Sequence, residues 1–247
     1  LSKPNASLPR PMREVRLYLL AGLRTAPLFM EGFRVALHGR LEASGRSVRS
    51  RLLFPYGDWS RAVVPQLWEI RRDIGAGARR PERSIGGRRV LDLLLGEGRE
   101  QGTRTLLVGH SAGGLAGLQA AQRLQALEGG EPSPVVMIGS PRCRIPEAML
   151  PYVLYMYAAG AEAPSGGSFR PADRVSRLGS FGGWTARPRR LPSWTADKFA
   201  PAHSRALPIV GGHADYFRER PPFVGPSGRS NLELTLETAW SWLETVL

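Results

Sequence analysis

Short apolar runs that end in glycine or turn residues alternate along this chain with stretches of helical spacing, and no other feature restricts the fold as much. The runs are Val15–Leu20, Val48–Phe54, Thr105–Val108, Val135–Ile138, Tyr152–Tyr157 and Ala206–Val210. All but the second are nearly continuous in apolar side chains, the pattern of strands covered on both faces. Between them, Phe29–Ala43 places Phe33, Leu37 and Leu41 on one helical face, and Val90–Leu95 carries a leucine-rich turn. Leu115, Leu118, Ala121 and Leu124 recur every third residue, and Leu232–Val246 holds Leu236, Ala239, Trp240 and Leu243 at helical spacing. Such alternation predicts an α/β fold, a mostly parallel central sheet flanked by helices.

Two stretches break the alternation. Trp59–Gly87 is rich in Arg, Gly and Pro with some helical content, and Ala159–Ser204 is long and rich in Gly, Pro and Ser, with Phe169, Phe181, Trp184, Trp194 and Phe199. Long segments of this kind within a domain are usually functional loops, so 159–204 is expected to form a lid or cap. With 247 residues and no internal repeat, a single domain over 12–247 is expected. Residues 1–11 carry Pro4, Pro9 and Pro11 without periodicity and read as a disordered tail. Met12, which opens the first strand, reads as the natural start.

Composition narrows the function classes. A hydrophobic share of 42% excludes a disordered chain. Cys143 is the single cysteine, which excludes a disulfide framework and a cysteine-rich zinc site. The net charge is +13, yet the basic residues are nearly all arginines, scattered in pairs such as Arg71-Arg72 and Arg88-Arg89. A nucleic-acid groove would interleave a basic stripe with aromatics, so no nucleic-acid partner is expected. No apolar run approaches the roughly 20 residues of a membrane span. Without an export signal, the expected compartment is the cytoplasm.

Gly109-His110-Ser111-Ala112-Gly113 matches G-x-S-x-G. As a string the match is weak; its setting makes it specific. Thr105–Val108 reads as a buried strand just before it, and a small-residue helix begins just after, the strand–turn–helix of a nucleophile elbow. The serine must sit at a strained backbone position that lifts its Oγ clear of the sheet. Gly109 and Gly113, two residues to either side, must be very small to avoid collision across the turn. The Ala112 N–H is then left at a helix start, ready to stabilise an oxyanion.

With this elbow in this order of elements, the chain resembles the serine hydrolases of the α/β-hydrolase superfamily, its esterase- and lipase-like members included, from Met12 to the C-terminus. The resemblance implies an acyl-enzyme mechanism whose partners follow the serine in the order acid, histidine. Catalytic groups of open α/β sheets gather beyond the carboxyl ends of the strands, which sorts the four histidines. His38 lies inside the first helix, His110 within the elbow, and His203 before the last strand. His213 follows that strand in Gly-Gly-His-Ala-Asp-Tyr and is the expected general base.

The acid should follow the Tyr152–Tyr157 strand, which leaves Asp173 and Glu162. Asp173-Arg174-Val175 resembles the family's Asp-x-Val step, so Asp173 is favoured and Glu162 is the alternative. A second oxyanion donor should come from the loop after the first strand. Leu20-Ala21-Gly22-Leu23-Arg24 resembles the family's His-Gly-x loop with Ala21 in place of His, and makes the Leu23 N–H the candidate. Gly139-Ser140-Pro141 is a strand-end turn that could line a pocket. Together these imply cleavage of a carboxylic ester, thioester or amide from a small-molecule acyl substrate, with no metal or organic cofactor. An acyltransferase on the same scaffold and a non-catalytic hydrolase-fold binding protein are the alternatives. The oligomeric state is left open.

Overall fold

The computed structural model describes residues 14–77, 80–98, 102–160, 172–187 and 190–247. Its apolar runs form strands β1 (Glu14–Leu20), β2 (Ser47–Leu53), β3 (Arg104–His110), β4 (Val135–Ile138), β5 (Val153–Ala158) and β8 (His203–Leu207). They make one sheet in the order β2-β1-β3-β4-β5-β8, every pair parallel. The helices are α1 (Glu31–Ala43), α2 (Val63–Ala76), α3 (Ile85–Gly96), α4 (Ala112–Glu128) and α5 (Asn231–Val246).

Side chains of the inner strands alternate between two cores, as the two-residue period of a strand requires. Val15, Leu17 and Leu19 of β1 and Leu106 and Val108 of β3 meet α1 and α5 through Phe33, Leu37, Leu41 and Leu236. Tyr18, Leu20 and Leu107 meet α3 and α4 on the other face through Val90, Leu91, Leu115 and Leu118. Each such fully buried side chain stabilises the fold by about 1.5–3 kcal/mol relative to exposure. Edge strand β2 alternates in burial, which is why its sequence was the one run broken by polar residues.

Three expectations change. The last strand is His203–Leu207 rather than Ala206–Val210: at the sheet edge, one flank of a strand needs no apolar cover, so His203, Ser204 and Arg205 are admitted. The helical content expected within Trp59–Gly87 is a regular helix, α2, whose extent the pattern did not give because its buried positions are polar Gln66, Glu69 and Asp73 around Ile70, while Val64, Leu67 and Trp68 face outward. Within 159–204, β6 (Gly183–Arg187) and β7 (Arg190–Thr195) form an antiparallel hairpin, so part of the expected loop is regular structure. In α5 the more deeply buried tryptophan is Trp242, while Trp240 is partly buried against the core.

The expected tail and start, residues 1–11 and Met12, lie outside the described residues. No helix among the described residues is long and apolar enough to cross a membrane.

Candidate active site

Strand β3 ends at His110 and α4 begins at Ala112, so Ser111 alone must turn the chain from strand to helix. It does so at φ +56° and ψ −131°, a left-handed conformation that a residue with a Cβ keeps only under constraint. The constraint is visible. The Ser111 N–H donates to the Ile138 carbonyl of β4 (2.9 Å), and its carbonyl accepts from the Gly114 N–H (3.1 Å). A Cβ on Gly109 would overlap the Gly113–Gly114 backbone, one on Gly113 the Leu20 carbonyl, and one on Gly114 the Ser140 hydroxyl.

This kink lies at the switch point of the sheet, since β1 has β2 on one side and β3 on the other. The loop leaving β1 therefore passes over it. A Cβ on Gly22 would lie 2.6 Å from the Ser111 Cβ and 3.1 Å from its Oγ. Of the expected oxyanion residues, Leu23 follows Gly22 in this loop, and Ala112 opens α4 directly after Ser111, where the first N–H of a helix has no intrahelical acceptor.

His213 and Asp173, 40 residues apart in sequence, are hydrogen-bonded through Nδ1 and Oδ2 at 2.9 Å. A carboxylate only accepts, so Nδ1 carries a proton, and in the neutral imidazole Nε2 keeps the lone pair. Asp173 is 1% exposed, and it also accepts from the Tyr216 hydroxyl (2.9 Å), the Ser176 hydroxyl (3.0 Å) and the Val175 N–H (2.8 Å). Burial alone would raise its pKa, but these donors, His213 foremost, outweigh it and hold the carboxyl below its ordinary value. The Tyr216 hydroxyl is pushed well up by burial and by the adjacent Asp173, and so remains a donor.

The His213 ring stacks on His110 with centroids 4.7 Å apart, and the His110 Nε2–H donates to the His213 carbonyl at 2.9 Å. That places His213 beside the residue preceding Ser111. Among the described residues, no hydrogen bond joins the two side chains of Ser111 and His213 in this conformation. His110 is buried, and desolvation followed by the neighbouring His213 lowers its pKa to about 3, so it is a neutral wall and not a base. His38 bonds Ser50 and pairs with Glu42 of its own helix. His203 pairs in register with Leu154, at the amino end of β5 and away from the carboxyl edge. The Cys143 thiol is pushed up to about 12 by burial, which removes it as a nucleophile.

A parallel sheet in this order, with a serine on a strand-to-helix kink at the carboxyl end of β3, has the architecture of the α/β hydrolases. That is the fold of this chain. No protein-family model matches the sequence, and no curated protein sequence matches it. Among solved structures it is similar to a protein of Xanthomonas campestris pv. campestris assigned to the alpha/beta hydrolase superfamily, at 16% identity over 92% of this chain and 98% of that one, with a TM-score of 0.41. It is also similar to RedJ, a thioesterase from the prodiginine biosynthetic pathway in Streptomyces coelicolor, at 12% identity over 96% and 97% of the two chains, with a TM-score of 0.47.

Several residues of the site carry little or no sequence signal, Gly139 only that of a strand-end turn. Gly139, at φ +57°, must be glycine because a Cβ there would lie 2.7 Å from the Tyr216 ring and 2.8 Å from the Asp173 Oδ2. Tyr216 and Ser176 complete the carboxylate pocket. Asn231, buried at the start of α5, ties the histidine loop at both ends: its side chain bonds the Val210 N–H and carbonyl and the Asp215 carbonyl at 2.7–2.9 Å. Glu162, the alternative acid, lies outside the described residues. Among the described residues no cluster of His, Cys, Asp or Glu has the grouping to hold a metal ion.

Proposed function

We propose that the chain is a serine hydrolase that cleaves a carboxylic ester, thioester or amide through an acyl-enzyme. The observation that carries this reading is the buried Asp173 bound to a His213 whose ring stacks on His110, the residue next to a serine held at φ +56°. Asp173 orients the imidazole and stabilises its cation. The contact between Nε2 and the Ser111 hydroxyl is expected to form on substrate binding, as such contacts commonly tighten only then, and the His213 side chain, 30% exposed, has room to adjust. Nε2 takes the hydroxyl proton, Oγ attacks the acyl carbonyl, and the N–H groups of Ala112 and Leu23 hold the oxyanion. The protonated imidazole then gives its proton to the leaving group. Water, deprotonated by the same nitrogen, clears the acyl group and regenerates the hydroxyl.

The hairpin β6–β7, with Trp184 and Trp194 edge to face at 5.7 Å and Leu191 exposed, is the candidate cover for an apolar acyl group, and 159–204 as a whole the candidate lid. The decisive experiment is labelling with a fluorophosphonate probe. The wild-type chain is expected to be labelled, and Ser111→Ala to be unlabelled with an unchanged far-UV spectrum. Labelling that persists in the variant would place the nucleophile elsewhere. Turnover of p-nitrophenyl esters of graded chain length then reports the acyl group that the pocket prefers.

A further inference from the structure

Helix α2 turns polar side chains toward the core. Such a stripe is costly unless every buried group is paired, and the partners of its three members show what each one holds. Asp73 receives the first N–H groups of α3. Glu69 forks Arg61 and Arg89 at 2.6–2.9 Å. Gln66, fully buried, reaches a different place, the loop that crosses the elbow. Its Nε2 donates to the carbonyls of Asp58 (3.0 Å) and Arg61 (2.9 Å), and its Oε1 accepts the Arg24 N–H (3.1 Å). The amide can sit only this way round, because its NH2 faces two carbonyls and its oxygen faces an N–H.

Arg24 holds φ +49°, the only described residue besides Ser111 that carries a Cβ at positive φ. A strained residue of this kind persists where its surroundings over-determine it. The loop is pinned on both sides of Leu23: Gly22 lies against Ser111, and Arg24 is tied to Gln66. We infer that Gln66 is a positioning residue for the oxyanion site, fixing the peptide between Gly22 and Arg24 so that the Leu23 N–H is held over Ser111 before substrate arrives. The inference rests on the hydrolase reading above. It also accounts for the inverted helix, since an apolar residue at position 66 would leave the Arg24 N–H without its acceptor. An oxyanion donor is effective because it needs no reorganisation as charge develops.

The test compares Gln66→Met, which keeps length and loses both kinds of hydrogen bond, with Asp73→Asn two turns along the same buried stripe. In Gln66→Met, kcat on a p-nitrophenyl ester should fall about 10- to 100-fold with KM within about twofold, the mark of an interaction made in the transition state. Amide exchange of residues 21–26 should speed up in parallel. Asp73→Asn should lower the unfolding midpoint yet leave kcat within about threefold and the exchange of 21–26 unchanged. An equal loss of kcat in both variants, or unaltered exchange in Gln66→Met, overturns the inference. If Gln66→Met does not fold, slow exchange of the Arg24 amide in the wild-type chain supports the anchor, and exchange as fast as an open loop overturns it. Failure of the wild-type chain to turn over any ester refutes the hydrolase reading, while the exchange comparison still decides whether Gln66 fixes the loop.

Discussion

Two aspartates lie fully buried in this molecule with nearly the same surroundings. Asp173 accepts from a tyrosine, a serine and a backbone N–H, from Tyr216, Ser176 and Val175. Asp73 accepts from Tyr56 (2.8 Å), Ser84 (2.9 Å) and the N–H groups of Ile85 (2.7 Å) and Gly86 (2.8 Å). They differ in one ligand. The last donor to Asp73 belongs to a sealed helix start, and that to Asp173 is the imidazole of a partly exposed residue stacked on the neighbour of a strained serine. A satisfied carboxylate pocket is therefore a structural device available anywhere in the core. It serves chemistry only when one donor can itself change protonation and reach a nucleophile.

The comparison can be broken most sharply by the paired variants Asp173→Asn and Asp73→Asn. On the proposed mechanism, Asp173→Asn should cost about 10⁴-fold in kcat, the scale seen when a triad imidazole loses its orienting carboxylate. Asp73→Asn should instead destabilise by about 1–3 kcal/mol, the cost of leaving buried donors unsatisfied, with activity nearly retained. Glu162→Gln should leave kcat within about threefold. If Glu162→Gln costs more than Asp173→Asn, the acid role passes to Glu162.

A smaller effect is expected from Gly139→Ala, because the added Cβ meets both the Tyr216 ring and the Asp173 carboxylate at a left-handed backbone position. It should destabilise by about 1–3 kcal/mol and lower kcat as the acid is displaced. Unfolding midpoints and steady-state rates measured on the same sample separate the two.

The smallest effect concerns acid stability. The folded-state pKa of Asp173 lies below its unfolded value of about 3.9. Its contribution is therefore fully present above about pH 4 and is lost as the pH falls through the folded value. Glu69, held by Arg61 first and then Arg89 against the cost of burial, is lowered from 4.5 to about 2 and loses its contribution across that interval. Urea midpoints followed from pH 6 to pH 2 should fall less steeply in Asp173→Asn and in Glu69→Gln than in the wild-type chain.

Legibility differed by kind of residue. The elbow could be read because its constraints are local: one residue makes the turn, and its neighbours at two positions either side must lack side chains. Asp173 was singled out only by its Asp-x-Val likeness, and the structure supplies a local reason for that step, the Val175 N–H bonded to the aspartate two residues before it. Gln66, Tyr216 and Asn231 gave no signal, and Gly139 only that of a strand-end turn, since each acts on a segment far away in sequence. Helix α2 was read only as some helical content within Trp59–Gly87, for a related reason. Hydrophobic periodicity assumes an apolar inner face, and here the inner face is polar and satisfied.

By itself the sequence determined the α/β alternation, the glycine-framed serine and the short set of histidines and carboxylates that could serve it, because all of these follow from backbone sterics and periodicity within a few residues. Which carboxylate meets which imidazole, and what steadies the loop over the serine, was decided by tertiary structure alone. Those contacts join chain segments tens of residues apart, and only the parallel stacking of the strands brings their carboxyl ends to one edge.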